Sequence, residues 1–151
     1  MKKQVYLFEI SDTYNGQVKL PYSTGLIWGH CIVDNAIKSN YELGGWIYYR
    51  DEIDRILSKV ENPSIVGFSN FVWNTNINYK LSKKIKEKYP NCIVVFGGQG
   101  TPKSDRVSNF FIEHPYIDVA VHGEGEITFK EILLENLKKK TNFKNVLGCS
   151  V

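Results

Sequence analysis

Two groups of glycines in this 151-residue sequence stand directly behind apolar runs. Gly97-Gly98-Gln99-Gly100-Thr101-Pro102 follows Val94-Val95-Phe96, and Gly123-Glu124-Gly125-Glu126 follows Val119-Ala120-Val121-His122. Residues without side chains let a ligand reach the backbone. A third stretch, Ser69-Asn70-Phe71-Val72-Trp73-Asn74, adds two large aromatics, and a fourth, Leu20-Pro21-Tyr22-Ser23-Thr24-Gly25, precedes a helical pattern. Strand-like alternation sets Phe71 and Trp73 on one side and Val72 on the other. Small floors with an aromatic edge suit a bulky, partly flat ligand. Neither glycine group carries the Lys-Ser/Thr ending of a phosphate loop or the G-x-G-x-x-G of a dinucleotide site.

Each piece also has a plain structural reading. The glycines at 97–100 serve equally as a tight turn, Trp73 as core, and Glu124 and Glu126 as carboxylates favoured at a helix start. His30 falls inside a helical pattern and His114 at a helix end, which leaves His122 as the one histidine near the expected rim. Cys31, Cys92 and Cys149 are far apart, odd in number and without zinc or iron–sulfur spacing, so a reducing cytoplasm is the expected setting.

The elements that must position these stretches are legible from periodicity. Residues 5–10, 64–69, 92–96 and 117–122 read as strands, with 46–49 as a shorter one. Runs apolar on both faces suit a parallel sheet covered by helices. Between them, Ile53, Ile56, Leu57 and Val60 make one helical stripe, and Ile77, Leu81 and Ile85 another that ends before Pro90. Phe129, Ile132, Leu133 and Leu137 make a third, while 24–37, apolar nearly all round, predicts one well-buried helix. The chain is therefore a regular βα alternation. Right-handed crossovers give a doubly wound α/β sheet with helices on both faces and, with strands numbered along the chain, the order 2-1-3-4-5. Ligands of such sheets bind beyond the carboxyl ends of the strands, where all four stretches fall.

Composition bounds the rest. The chain is 42% apolar and 23% charged, which gives one domain with a real core. The 19 Lys+Arg against 16 Asp+Glu leave +3, with a run at Lys138–Lys140 that reads as a solvated helix end, so no nucleic-acid partner is expected. No apolar run approaches the roughly 18 residues of a membrane span, so no membrane is expected either.

Taken in order, Leu20-Pro21-Tyr22-Ser23, Gly67-Phe68-Ser69, Trp73-Asn74, Val95-Phe96-Gly97-Gly98, His114-Pro115-Tyr116-Ile117-Asp118 and Val121-His122-Gly123-Glu124-Gly125-Glu126 resemble the N-terminal cobalamin-binding domain of cobalamin-dependent radical S-adenosylmethionine enzymes. The resemblance covers nearly the whole chain, and the last block through Phe129 is its most specific part. It implies a flavodoxin-like (Rossmann-like) domain over residues 1–141, with 142–151 a sixth strand or the start of a connection. It implies cobalamin as cofactor, with a radical S-adenosylmethionine domain or partner enzyme beside it. Carried over by position, Ser69, Gly97 and Gly98 lie along the nucleotide tail, Gly123, Glu124 and Gly125 close its far side, and Asn74 and Gln99 are further cofactor-binding candidates. Leu20, Pro21, Tyr22, Phe71 and Trp73 face the corrin.

Two departures qualify that resemblance. Other cobalamin domains carry an Asp-x-His-x-x-Gly loop after the first strand, but residues 11–19 hold no histidine, so no histidine lower ligand is expected. The sequence also has no Cys-x-x-x-Cys-x-x-Cys motif, so these residues are expected to hold a cofactor rather than run radical chemistry, as an excised domain or a free-standing protein. The alternative is a flavodoxin-like interaction or sensor domain that binds no corrin. Its receiver-like form needs an acidic cluster after the first strand, of which Glu9 and Asp12 are a partial set, and a lysine after the fifth, which is lacking. A flavin site is disfavoured because Asp12 opposes a phosphate in that loop.

Overall fold

The computed structural model describes residues 1–103 and 106–151. Six strands form one sheet: β1 (Lys3–Ser11), β2 (Tyr41–Tyr49), β3 (Pro63–Ser69), β4 (Ile93–Gly97), β5 (Val119–Val121) and β6 (Cys149–Ser150), in the order β2-β1-β3-β4-β5-β6. The first five are parallel, as expected of runs buried on both faces, and β6 joins β5 antiparallel. The expected 2-1-3-4-5 order is present, with one strand more. β2 starts five residues before the 46–49 run; its first half alternates in burial, but Gly44 and Gly45 break the apolar run that would have marked it in sequence.

Among the described residues, six α-helices cover the sheet: α1 (Tyr22–Ile32), α2 (Asn35–Asn40), α3 (Ile53–Leu57), α4 (Thr75–Lys88), α5 (Val107–Glu113) and α6 (Gly125–Glu135). The single buried helix expected over 24–37 is instead two. Asp34 stops α1 and starts α2, its carboxylate accepting from the N–H groups of Ala36 (2.9 Å) and Ile37 (3.3 Å). Of α1 only Thr24, Trp28 and Cys31 are buried, so its apolar character does not mean burial all round.

The core has two halves, one on each face of the sheet. On the α3–α4–α5 side, Phe8, Phe68 and Phe96 are register partners on three adjacent strands, with ring centroids 4.4 and 4.9 Å apart. Tyr79 and Phe110 close over them. A one-residue slip would throw all three rings to the opposite face, so this ladder pins the register. On the other side, Leu7, Ile65, Val95 and Val119 meet Trp28, Phe129, Ile132 and Leu133 of α1 and α6. Among the described residues, no helix is long and apolar enough to cross a membrane.

The two N–H bonds, more than the nearby Lys130, hold the Asp34 carboxyl below the ordinary aspartate value. A carboxylate with a depressed folded pKa contributes stability above its unfolded value, about 3.9, and loses it as pH falls through the folded value. Asp34→Ala is therefore expected to lower the urea midpoint at pH 7, with the difference from wild type closing as pH falls below 4. A gap that persists unchanged at pH 2 would mean the carboxylate is not what the cap depends on.

Candidate functional site

Beyond the carboxyl ends of the strands lie two neighbouring cavities that share one lining residue, Phe71. The first is a slot of about 220 Å³ between the sheet and the N-terminal turns of α1 and α6. Strand alternation explains its floor. Leu7, Gly67, Ser69, Val95, Gly97 and Val121 all point to the α1–α6 face, and three of these six have little or no side chain. The core on this face therefore thins toward the strand ends instead of closing. Thr24 and Ile27 of α1 and Phe129 of α6 wall the slot, and Gly123, Glu124 and Gly125 form its far lip.

The second cavity is an open groove of about 660 Å³, within the range of roughly 300–1,000 Å³ usual for small-molecule sites. Leu20 and Tyr22, 77% and 73% exposed, line it together with Phe71 and Trp73. The two rings stack at 4.6 Å with planes 3° apart. Trp73 is 54% exposed, so it is a rim residue and not core. Residues 11–19, read from sequence as a long polar loop, contain a tight hairpin. Tyr14 and Gln17 exchange both backbone hydrogen bonds, and Asn15 and Gly16 turn with φ of 49° and 75°. Asn-Gly is the favoured pair for that turn and was the signal available to find it.

The sequence candidates separate cleanly. Ser69, Gly97, Gly98, Gly123, Glu124 and Gly125 line the slot, Leu20, Tyr22 and Trp73 line the groove, and Phe71 lines both. Pro21 precedes α1 and, like Gln99, lines neither. Asn74 is 1% exposed and wholly occupied inside the protein. Its amide donates to the carbonyls of Ile10 and Ser69, both at 3.0 Å, and its Oδ1 accepts from the Phe71 N–H at 2.8 Å. Gly98 also answers to the protein's own backbone: with φ at +92°, a Cβ there would sit 2.7 Å from the Asn70 carbonyl oxygen. Gly97 is different, since the nearest atom to a Cβ there is Val121 Cβ at 3.6 Å.

Residues whose partners the spacing did not indicate complete the site. Glu9, at the end of β1, accepts hydrogen bonds from Thr24 N–H (2.8 Å) and Thr24 Oγ1 (2.9 Å), capping α1 from a distant strand. Asp12 pairs with Arg50. Glu9 and Asp12 both line the groove but have separate partners, Thr24 and Arg50. Ser23 brings its hydroxyl to 3.4 Å from that of Ser69 across the slot mouth. No lysine or arginine lines the slot, and Glu124 and Glu126 give its mouth negative character. α6 starts without a side-chain cap, which leaves its first N–H groups open to a ligand.

None of the histidines reaches either cavity. His30 is exposed on α1, and His114 stacks on Tyr79 at 4.0 Å. His122 turns toward β6, with Nε2 2.8 Å from Ser150 Oγ; burial, assisted by Lys103, holds its imidazole below the ordinary range. Burial pushes the Cys31 and Cys92 thiols up to about 12, so both stay protonated and inert. Among the described residues, no group of three or more His, Cys, Asp or Glu could hold a metal ion directly.

Comparison with known proteins adds descent to this geometry. Over 132 residues the chain is 36% identical to the cobalamin-dependent radical SAM methyltransferase TokK of Streptomyces tokunonensis, covering 87% of this chain and 19% of that protein. It is 34% identical, with the same coverage, to 2-(S-pantetheinyl)-carbapenam-3-carboxylate methyltransferase of Streptantibioticus cattleyicolor. The chain is homologous to a segment of the cobalamin-dependent radical SAM methyltransferases. It spans about a fifth of the length of these relatives. No family model matches it. In structure it resembles a cobalamin-binding protein of Desulfitobacterium hafniense, with a TM-score of 0.59 over 91% of this chain and 60% of that one, at 15% identity. That likeness shows a shared Rossmann-like fold.

The internal role of Asn74 has a measurable consequence. Leaving a buried polar group unpaired costs about 1–3 kcal/mol, and Asn74→Ala strips partners from two carbonyls and one N–H. The variant is expected to lose about 3 kcal/mol or more of stability in a urea titration. A loss below about 1 kcal/mol would show that the ends of β1 and β3 are held by something else.

Proposed function

We propose that this chain is a cobalamin-binding module, with the corrin in the groove and the nucleotide tail of the cofactor in the slot. The observation that carries the reading is the slot: an apolar, side-chain-poor cleft between the sheet and two helices, joined at Phe71 to an aromatic-edged groove. The residues present fit the group. A flat base needs apolar walls without bulk, which Val95, Val121, Ile27 and Phe129 supply around Gly97. A corrin needs greasy contact and peripheral hydrogen bonding, which Leu20, Tyr22, Phe71 and Trp73 offer beside the carboxylates and hydroxyls of the β1 hairpin. The descent from cobalamin-dependent enzymes supports the same cofactor.

When bound, cobalamin supplies a cobalt ion able to carry an alkyl group. The chain's own part is to hold it. Ser69, Gly97 and Gly98 border the tail, Gly123, Glu124 and Gly125 close over it, and the Phe71–Trp73 stack sets the boundary where tail meets corrin. Asn74 acts from behind by fixing the Phe71 backbone. Gln99 and Pro21 belong to the same loops and shape them without lining either cavity. This sequence holds no Cys-x-x-x-Cys-x-x-Cys motif, so a radical S-adenosylmethionine domain or partner enzyme is the expected consumer of the cofactor. We place residues 1–141 in the cofactor domain, and the whole in the cytoplasm.

The direct test is a visible spectrum after incubation with hydroxocobalamin and desalting. The wild-type chain is expected to keep about one equivalent of red cofactor, in keeping with a single built site. Gly97→Leu, which has room next to Val121 but fills the slot, is expected to lose it while keeping the far-UV spectrum and unfolding midpoint of wild type. Retention by that variant at wild-type level would take the tail out of the slot.

With the cofactor bound, the cobalt is expected to have no histidine below it, because all three imidazoles lie outside both cavities. Electron paramagnetic resonance of the cobalt(II) form, prepared with cobinamide so that no nucleotide base competes, should show no nitrogen superhyperfine splitting. A resolved nitrogen pattern in that sample would require a protein ligand and overturn this point.

A further inference from the structure

Arg50, the residue after β2, makes two contacts in different directions. Its Nε pairs with Asp12 Oδ1 at the base of the β1 hairpin, and its Nη2 donates to the Trp73 carbonyl at 2.7 Å. Asp12, in the β1 hairpin, and Trp73, in the loop after β3, both line the groove, so these two segments form walls of it. Among the described residues, 13–19 make no hydrogen bond outside the Tyr14–Gln17 turn, so the hairpin's polar anchorage to the rest of the molecule runs through Asp12. The Trp73 loop has its own anchor at Asn74, but the backbone of Trp73 itself is reached only by Arg50 among the side-chain hydrogen bonds described.

We infer that Arg50 is a positioning residue that sets the separation of the two groove walls, and so tunes the affinity for the corrin without touching it. The inference rests on the cobalamin reading and deepens it. A guanidinium is suited to the task because it is planar and always charged, with donors pointing along several fixed directions; an ammonium concentrates its charge at one point. The pair is solvent-accessible, with side chains 39% and 64% exposed, and ion pairs of that kind contribute little to folding stability. Its effect belongs to binding. Walls already in place need not be ordered when the ligand arrives, and that ordering cost is what a loosened groove would add.

The experiment compares wild type, Arg50→Met, Asp12→Asn and Gly97→Leu for binding of two probes, hydroxocobalamin and cobinamide, which lacks the nucleotide tail. Arg50→Met is expected to weaken both probes by the same factor, about tenfold, the order expected if a few side chains must be newly ordered. Its urea midpoint should stay at the wild-type value. Asp12→Asn should shift both probes in the same direction. Gly97→Leu should weaken hydroxocobalamin and leave cobinamide untouched, which separates slot from groove. Unchanged affinities in Arg50→Met overturn the inference, as does a loss confined to hydroxocobalamin or one that tracks a fallen midpoint. If wild type binds neither probe, the cobalamin reading fails and this inference fails with it; if wild type binds both and Arg50→Met matches it, the inference alone fails.

Discussion

The carboxamide of Asn74 is the joint on which the site depends. Parallel strands end with carbonyls that have no partner further along the ladder, and at the ends of β1 and β3 two of these, from Ile10 and Ser69, fall on the Asn74 amide. The same side chain accepts from the Phe71 N–H and from Asn78 of the helix that follows. One buried side chain thus fixes two strand ends, a loop and a helix start relative to each other. Phe71 is held at its backbone by this joint, and Phe71 is the residue common to slot and groove. The geometry of the cavities is therefore set by an interaction that faces away from both.

The glycines around the site divide by what they approach. Gly98 and Gly100 come against the backbone of Asn70, with Gly100 N–H donating to its carbonyl at 2.8 Å and Asn70 N–H donating to Gly97 at 2.7 Å. These two glycines exist so that the β3 and β4 loops can lie on one another. Gly97 has free space in front of it, on the face shared with Val95. Gly98 still lines the slot, but the room for a ligand lies in front of Gly97. A glycine cluster behind a strand therefore mixes loop packing with ligand space, and the two are told apart by the face each residue takes.

This distinction explains how much the sequence revealed. The strand order, the parallel core and the four loops at the strand ends were legible because they follow from runs apolar on both faces and from the handedness of crossovers. The break at Asp34 was not, because composition alone favoured one apolar helix and only the capping geometry divides it. Asn74 was read as a site residue from its place in the chain, whereas its hydrogen bonds turn inward. Glu9 and Arg50 could not be paired with their partners from spacing, since the contacts bridge 15 and 38 residues and depend on the fold bringing strand ends together.

The two cavities differ in how firmly they are built, and the difference has a physical source. The slot floor is the sheet itself, and its register is locked on the opposite face by the Phe8–Phe68–Phe96 ladder, so the floor cannot shift without breaking the core. The groove is walled by a hairpin and a loop that, among the described hydrogen bonds and ion pairs, are joined through one accessible arginine. On the cobalamin reading, the tail enters the rigid part and the corrin rests against the adjustable part. Rigid cavities select by shape, whereas adjustable walls can tolerate change at the exposed face of what they hold. A cofactor gripped by its tail in the sheet thus keeps its reactive face toward surface that is free to meet another domain.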